Sequence, residues 1–176
     1  MVPFLRFQAA SAMHSRLVIT ATDLDDPGHV AAFLDLLEHY ARDPMGGGEG
    51  LSDHAKLHLV GTMKEVPGFH GALAWLDGQA VGMIDCFAGF STFAAMPLLN
   101  VHDLIVLAGH RGRGIGQALL AWAEARAREL GCCKLTLEVL SSNARAMASY
   151  RQAGFAPYAL DPAAGHALLM QKKLAE

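Results

Sequence analysis

The chain is 176 residues long, 52% apolar and only 18% charged, with a formal charge of −3 and three cysteines. That length fits one domain, and it buries about two-thirds of the surface an unfolded chain exposes, enough to fold without disulfides or a structural metal. The apolar share excludes a disordered tail protein, and the slight negative balance argues against duplex nucleic acid, which selects a basic face. Mean hydropathy is positive, yet the longest charge-free stretch, residues 86–101, is interrupted by Gly89, Ser91, Thr92, Pro97 and Asn100. A spanning helix needs about 20 mostly apolar residues, so no membrane partner is expected.

Residues 1–14 read as a loose leader. Ala10-Ser11-Ala12 has the shape of a signal-peptidase site, but Arg6 splits the short apolar run before it, and Met13 offers a second start. Residues 16–22 (RLVITAT) are β-branched and alternate, which predicts a strand. Residues 23–27 supply turn and capping groups, and Val30, Phe33, Leu34, Leu36 and Leu37 recur at roughly helical spacing over 29–41. Glycines 46–48 make a flexible loop, after which Ser52-Asp53 caps a second helix running to residue 65. Residues 69–76 and 79–87 form a strand pair joined by Asp77-Gly78, a dipeptide suited to a two-residue hairpin turn. A strand over 98–107 follows, then an amphipathic helix over 114–130 stopped by Gly131 where a left-handed cap is required. The spacing predicts a strand over 134–140, a helix over 143–153 closed by Gly154, and closing strands near 156–160 and 166–171. Strand pairs followed by alternating strands and helices predict a mixed sheet covered by helices, in a single domain.

Cys86, Cys132 and Cys133 form an odd set, and the adjacent pair is poorly placed for a disulfide because the ring is strained. No zinc-type spacing is present. Reduced thiols in the cytoplasm are expected. His54 and His58 have metal-ligand spacing on one helix face, but the intervening glutamate of a metalloprotease helix is missing and no third ligand is evident, so a solvated face and no metal are expected. Arg126, Arg128 and Lys134 likewise read as a solvated face.

Residues 107–120 (LAGHRGRGIGQALL) carry the most chemistry. A strand runs into the alternating glycines Gly112, Gly114 and Gly116 and then opens a helix. Glycines allow a sharp turn and close approach to backbone N–H groups, and a helix start is an anion site. Arg111 and Arg113 add positive charge, so a phosphate or pyrophosphate is the natural ligand. The Gly-Lys-Ser/Thr of a Walker loop is absent. The dinucleotide fingerprint also fails, because Gly112 and Gly114 are followed by Gln117, and Gly114 and Gly116 by Leu119.

What remains, Arg111-x-x-Gly114-x-Gly116, resembles the coenzyme-A loop Q/R-x-x-G-x-G/A of the GNAT acetyltransferase superfamily. Downstream, Asn143-x-x-Ala146-x-x-x-Tyr150-x-x-x-Gly154-Phe155 is similar to the pattern that follows the cofactor-cleft strand in the same family. On a helix Asn143, Ala146, Met147 and Tyr150 share one face.

The resemblance implies the GNAT fold of α/β (α+β) class: a mixed, mostly antiparallel sheet of six to seven strands, flanked by helices, with a splayed strand pair holding CoA. It implies acetyl-CoA as donor, a small amine as acceptor, and a homodimer. The pantetheine would lie along Leu104, Ile105 and Val106. The pyrophosphate would sit over Arg111, Gly112, Arg113, Gly114, Ile115 and Gly116, with Gln117, Asn143 and Ala146 also beside the cofactor.

Tyr150 matches the family's tyrosine acid; a core tyrosine with a satisfied hydroxyl is its ordinary alternative, as a helix cap is for Asn143. His102-Asp103 stands where the spermidine/spermine acetyltransferase branch, to which the chain is loosely similar, carries Glu-Asp. His102, with an unperturbed pKa of about 6.5, reads as a base or water-holder, a substrate contact or a structural residue. Asp103 reads either as a binding group for a cationic acceptor or as a partner for a backbone N–H or a salt bridge. Tyr40, Asp43 and Phe90, the last in the aromatic run 87–93, are candidates for the acceptor pocket, with core packing the alternative for the aromatics. The expected activity is acetyl transfer to a polyamine, diamine or lysine-like amine. A peptide or protein N-acetyltransferase and a non-catalytic acyl-CoA-binding module are the competing readings.

Overall fold

The computed structural model describes residues 16–158, 168–172 and 174. Five strands, β1 (Leu17–Ala21), β2 (Phe69–Leu76), β3 (Gln79–Ser91), β4 (Met96–Val106) and β5 (Leu135–Leu137), form one sheet in that order. The first four pair antiparallel, and β5 lies parallel to β4. The helices are α1 (Pro27–Arg42), α2 (Asp53–Glu65), α3 (Ile115–Glu129) and α4 (Ala144–Gln152). The predicted leader lies outside the described residues.

Local chemistry sets most of these boundaries. The Asp26 carboxylate accepts the N–H groups of Gly28 and His29 at 2.7 and 3.0 Å, with Pro27 in the first turn, so α1 starts two residues earlier than its apolar spacing implies. Ser52 caps α2 through the Ala55 N–H at 3.1 Å. Asp77 and Gly78 take φ of 51° and 83°, the left-handed pair that a tight hairpin needs.

Alternation along the strands separates two apolar layers. Ala72, Ala74, Ile84, Cys86, Leu99 and Val101 face α3 through Ile115, Leu119 and Ala123. Leu73, Met83 and Ile105 face Phe33, Leu36 and Leu37 of α1 and Met63 of α2.

The largest departures from the sequence reading concern β3, β4 and β5. The hairpin of β3 and β4 extends to Ser91 and Met96, beyond the predicted limits at 87 and 98, because pairing continues from Phe87–Asn100 to Ser91–Met96 through Ala88, Gly89 and Pro97, residues with low strand preference. Asp85 pairs with Asp103 and Cys86 with Val101, so His102 is an extra residue in β4 and makes a β-bulge. β5 pairs only with Leu99, Asn100 and Val101. Past the bulge β4 leaves it, and the strand predicted over 134–140 shrinks to three paired residues. Of the two closing strands, residues 156–158 and 168–171 are described and belong to no strand; the remainder lies outside the described residues.

Two glycines make a matched test. A Cβ at Gly82 would stand 2.8 Å from the Ile105 carbonyl oxygen, whereas one at Gly61, inside α2, would meet nothing within 4 Å. Gly82→Ala is expected to lose about 1–3 kcal/mol through overpacking. Gly61→Ala is expected to gain about 0.5–1 kcal/mol from helix propensity. Urea unfolding of both variants checks the signs.

Candidate active site

A cleft of about 760 Å³ opens where β4 leaves β5. Leu104, Ile105 and Val106 of β4 line it, and among the described residues the edge of β4 from Asp103 onward has no strand partner on that side. Arg111, Gly112, Gly114, Ile115, Gly116 and Gln117 form one wall; Asn143, Ala146, Ser149 and Tyr150 form another; Tyr40, Asp43 and Met45 approach from the end of α1. The predicted cofactor residues are therefore brought together, Arg113 excepted; its side chain is exposed beside the cleft.

The glycine turn fits a phosphorylated ligand on its own geometry. Gly112 and Gly114 take φ of 77° and 79°, and a Cβ at either would meet nothing within 4 Å, so backbone conformation rather than crowding requires glycine there. α3 begins without a side-chain cap. Among the described residues, no backbone carbonyl accepts the N–H groups from Gly112 to Gln117. A coenzyme-A pyrophosphate would meet these N–H groups and the helix dipole.

Several side chains act differently from the sequence reading. The Arg111 guanidinium turns back: Nε donates to the Val106 carbonyl at 2.8 Å and Nη2 meets Asp43 Oδ2 at 3.0 Å. Its charge is thus shared between the β4 edge and the end of α1. The Met45 N–H and the Arg111 guanidinium hold the Asp43 carboxyl below the usual range. Gln117 clamps α3 to α4, donating from Nε2 to both the carbonyl and the hydroxyl of Ser149 at 2.9 Å; nothing in the sequence marks Ser149 for this. Asn143 lines the cleft and also caps α4, its Oδ1 accepting the Ala146 N–H at 3.1 Å. His102 is exposed, with its ring edge-on to Phe87 at 5.6 Å, and is not among the cleft-lining residues. Phe90 lies in the hairpin extension, 63% exposed and away from the cleft.

Two phenols and two carboxyls feel one another's charge near the bulge. Tyr40 packs with the α1 layer and Tyr150 with the α3 layer, so the two phenols reach the cleft from opposite faces of the sheet. Asp103 and Asp85, neither of them among the cleft-lining residues, pair across β4 and β3 on the face that carries Met83 and Ile105; Asp85 is the only buried polar or charged side chain among the described residues, at 3% exposure. Asp85 Oδ1 accepts the Asp103 N–H at 2.7 Å. Sequence reasoning missed Asp85; an isolated aspartate in an apolar strand was the available signal. Burial, then the Tyr40 and Asp103 charges, push the Tyr150 phenol up to about 12. Burial raises Tyr40 and Asp103 as well. Burial and the facing Asp103 charge push the Asp85 carboxyl up to about 8.

This last shift has a definite sign in stability. The folded chain keeps a proton on Asp85 between pH 4 and 8 that the unfolded chain has released. The contribution is therefore complete below pH 4 and is lost as pH rises to 8. Asp85→Asn, which keeps an acceptor oxygen, is expected to flatten the fall in Tm over that window and to melt above the wild type at pH 8. Thermal melts across pH 4–9 check it.

Sheet, splay and glycine turn together define an α/β domain with a cleft along a free strand edge. Residues 33–155 match the acetyltransferase (GNAT) family, and the chain belongs to it. It is 44% identical over 87 residues to a streptothricin acetyltransferase of Streptomyces lavendulae, covering 49% of this chain and 44% of that protein. It is 38% identical over 85 residues to an aminoalkylphosphonate N-acetyltransferase of Salmonella typhimurium, covering 48% and 53%. The chain spans about half the length of the curated relatives it matches. In fold it resembles an aminoglycoside acetyltransferase from an uncultured soil metagenomic sample, with a TM-score of 0.70 at 18% identity, over 90% of this chain and 97% of the other. An aminoglycoside N-acetyltransferase in complex with CoA gives 0.70 at 17% identity, over 91% and 97%. Among the described residues no helix is long and apolar enough to cross a membrane.

Proposed function

We propose that the chain is an N-acetyltransferase that moves an acetyl group from acetyl-CoA to the primary amine of a small molecule by direct attack in a ternary complex. The observation that carries this reading is the splay of β4 from β5 beside a run of unpartnered backbone N–H groups, with Tyr150 on the facing wall. Acetyl-CoA supplies the acetyl group as a thioester. Leu104, Ile105 and Val106 hold its extended arm along the free strand edge, and the turn from Gly112 to Gly116 receives its pyrophosphate.

The acceptor must lose a proton before its nitrogen can attack. The Asp103 charge is felt by both phenols that line the cleft, and His102 is exposed, so Asp103 is assigned the role of receiving the cationic amine. Tyr150 keeps its proton throughout the neutral range and donates from Oη to the departing sulfur. A phenol held that high acts toward a thiolate as a hydrogen-bond donor more than as a strong acid. The names of the two curated relatives support a small acceptor. Polyamines, diamines and lysine-like amines fit the acidic end of the cleft. A cytoplasmic location suits the free thiols of Cys132 and Cys133. A homodimer is proposed through the β3–β4 hairpin, where Phe90, Phe93 and Met96 are exposed.

Thiol release from acetyl-CoA over a panel of polyamines, diamines, free lysine and peptides tests the reading. Turnover with small amines is expected; a blank panel favours a non-catalytic acyl-CoA-binding module, and turnover with peptides alone favours a protein acetyltransferase. Tyr150→Phe is expected to bind CoA normally while turnover drops by about 10²-fold or more. An unchanged rate removes the donor role.

A further inference from the structure

Asp85 takes no part in the reaction as described above. It lies on β3 directly opposite Asp103, is almost wholly buried, and its Oδ1 takes the Asp103 N–H at 2.7 Å. That bond closes the ladder immediately after the extra residue His102, so it holds the bulge from within the sheet. Among the described residues neither carboxyl has a lysine or arginine partner. The titratable groups facing the pair are Tyr40 of α1, Asp43 at its end, Tyr150 of α4, Cys86 on β3 and His102 on β4. Asp43 is already engaged with Arg111, and only exposed His102 could bring positive charge. Two carboxyls so placed cannot both ionise cheaply in an apolar setting.

Resting on the acetyl-transfer reading above, we propose that Asp85 is a positioning residue for the acceptor amine: it fixes the bulge after which Asp103 stands and so the direction of the Asp103 side chain, and it holds one proton for the pair, so that Asp103 alone carries the charge the amine meets. The neutral Asp85 hydroxyl donates to the Asp103 carboxylate and orients it. An arriving ammonium passes one proton to Asp103, breaking an N–H bond and forming an O–H bond. The freed lone pair attacks the thioester carbonyl carbon, and the C–S bond breaks. The sulfur leaves as a thiolate that accepts the Tyr150 hydrogen bond, and the new amide nitrogen gives up its second proton to solvent. Asp103 returns its proton to solvent, and the proton on Asp85 never leaves. The raised Asp85 and Asp103 carboxyls agree with this order of protonation.

Two variants separate this role from a merely structural one. Asp85→Asn keeps an oxygen for the Asp103 N–H and offers an N–H where the neutral carboxyl offered an O–H; Asp85→Leu offers neither. With an amine the wild-type protein acetylates, Asp85→Leu is expected to lose about 10²-fold in kcat/KM for the amine, the scale of a 1 Å misplacement. Its Kd for acetyl-CoA is expected to stay within about 3-fold of the wild type, and Asp85→Asn to recover most of the loss at pH 7. As pH passes through 8 the wild-type pair gains its second charge, so its amine KM falls relative to that of Asp85→Asn. Carboxyl titration by NMR reads the same proton without turnover: a group ionising near pH 8 in the wild type is absent from Asp85→Asn. Wild-type kcat/KM in Asp85→Leu, parallel KM profiles in wild type and Asp85→Asn, or an Asp85 carboxyl that ionises in the ordinary range overturns the proposal. If Asp85→Leu does not fold, the comparison of wild type with Asp85→Asn decides. If the wild type acetylates no amine, the acetyl-transfer reading fails, while the titration still shows whether the pair shares a proton.

Discussion

The bulge at His102 in β4, held by the bond from the Asp103 N–H to the Asp85 carboxyl, is the constraint on which the rest of the site depends. One extra residue bends the strand. Before it, β4 pairs with β5 over Leu99, Asn100 and Val101; after it, the two diverge. The divergence leaves a strand edge unpaired inside the protein, which is costly unless something else accepts or donates there. Arg111 meets part of that need by donating to the Val106 carbonyl, and an extended ligand along the edge would meet the rest. The cleft is thus a consequence of register, and its position is set by a single inserted residue.

The same bend decides how charge is distributed. Acidic groups act on one end, where Tyr40 and Tyr150 line the cleft and feel the Asp103 charge. Backbone N–H groups collect at the other, in the turn before α3. The arginine best placed to add a full positive charge to the turn gives its guanidinium to Asp43 instead. On the proposed reading, anion recognition at the turn falls to backbone dipoles, which are fixed by the fold and carry no side-chain entropy. The Arg111–Asp43 pair also ties the end of α1 and the glycine loop after it to the phosphate turn, which links the acceptor side of the cleft to the donor side.

Much of this was legible in the residues. Gly112 and Gly114 mark left-handed turn positions, Asp77-Gly78 marks a hairpin, and Ser52 and Asn143 mark helix starts; each is a local conformational preference, and the chain shows it wherever the residue stands. The apolar alternation of β2 and β3 announced two buried faces for the same reason. The motif residues on α4 also share the face that the 3.6-residue period assigns to them, with Asn143 and Tyr150 both at the cleft.

What could not be read concerns partners distant in the chain. Gln117 to Ser149, Arg111 to Asp43 and Asp103 to Asp85 are separated by 32, 68 and 18 residues, and no spacing rule connects such pairs. Asp85 looked like a stray charge in an apolar strand, and only its place opposite the bulge gives it a role. His102 and Phe90 looked like site residues by type, and the strand register turns one outward and carries the other onto the hairpin. The sequence by itself determined the helices and their caps, the β2–β3 hairpin and the glycine turn, because those depend on neighbouring residues. The tertiary structure alone decided which side chains face the cleft and which carboxyls keep a proton, because burial and long-range pairing arise only when the sheet has closed.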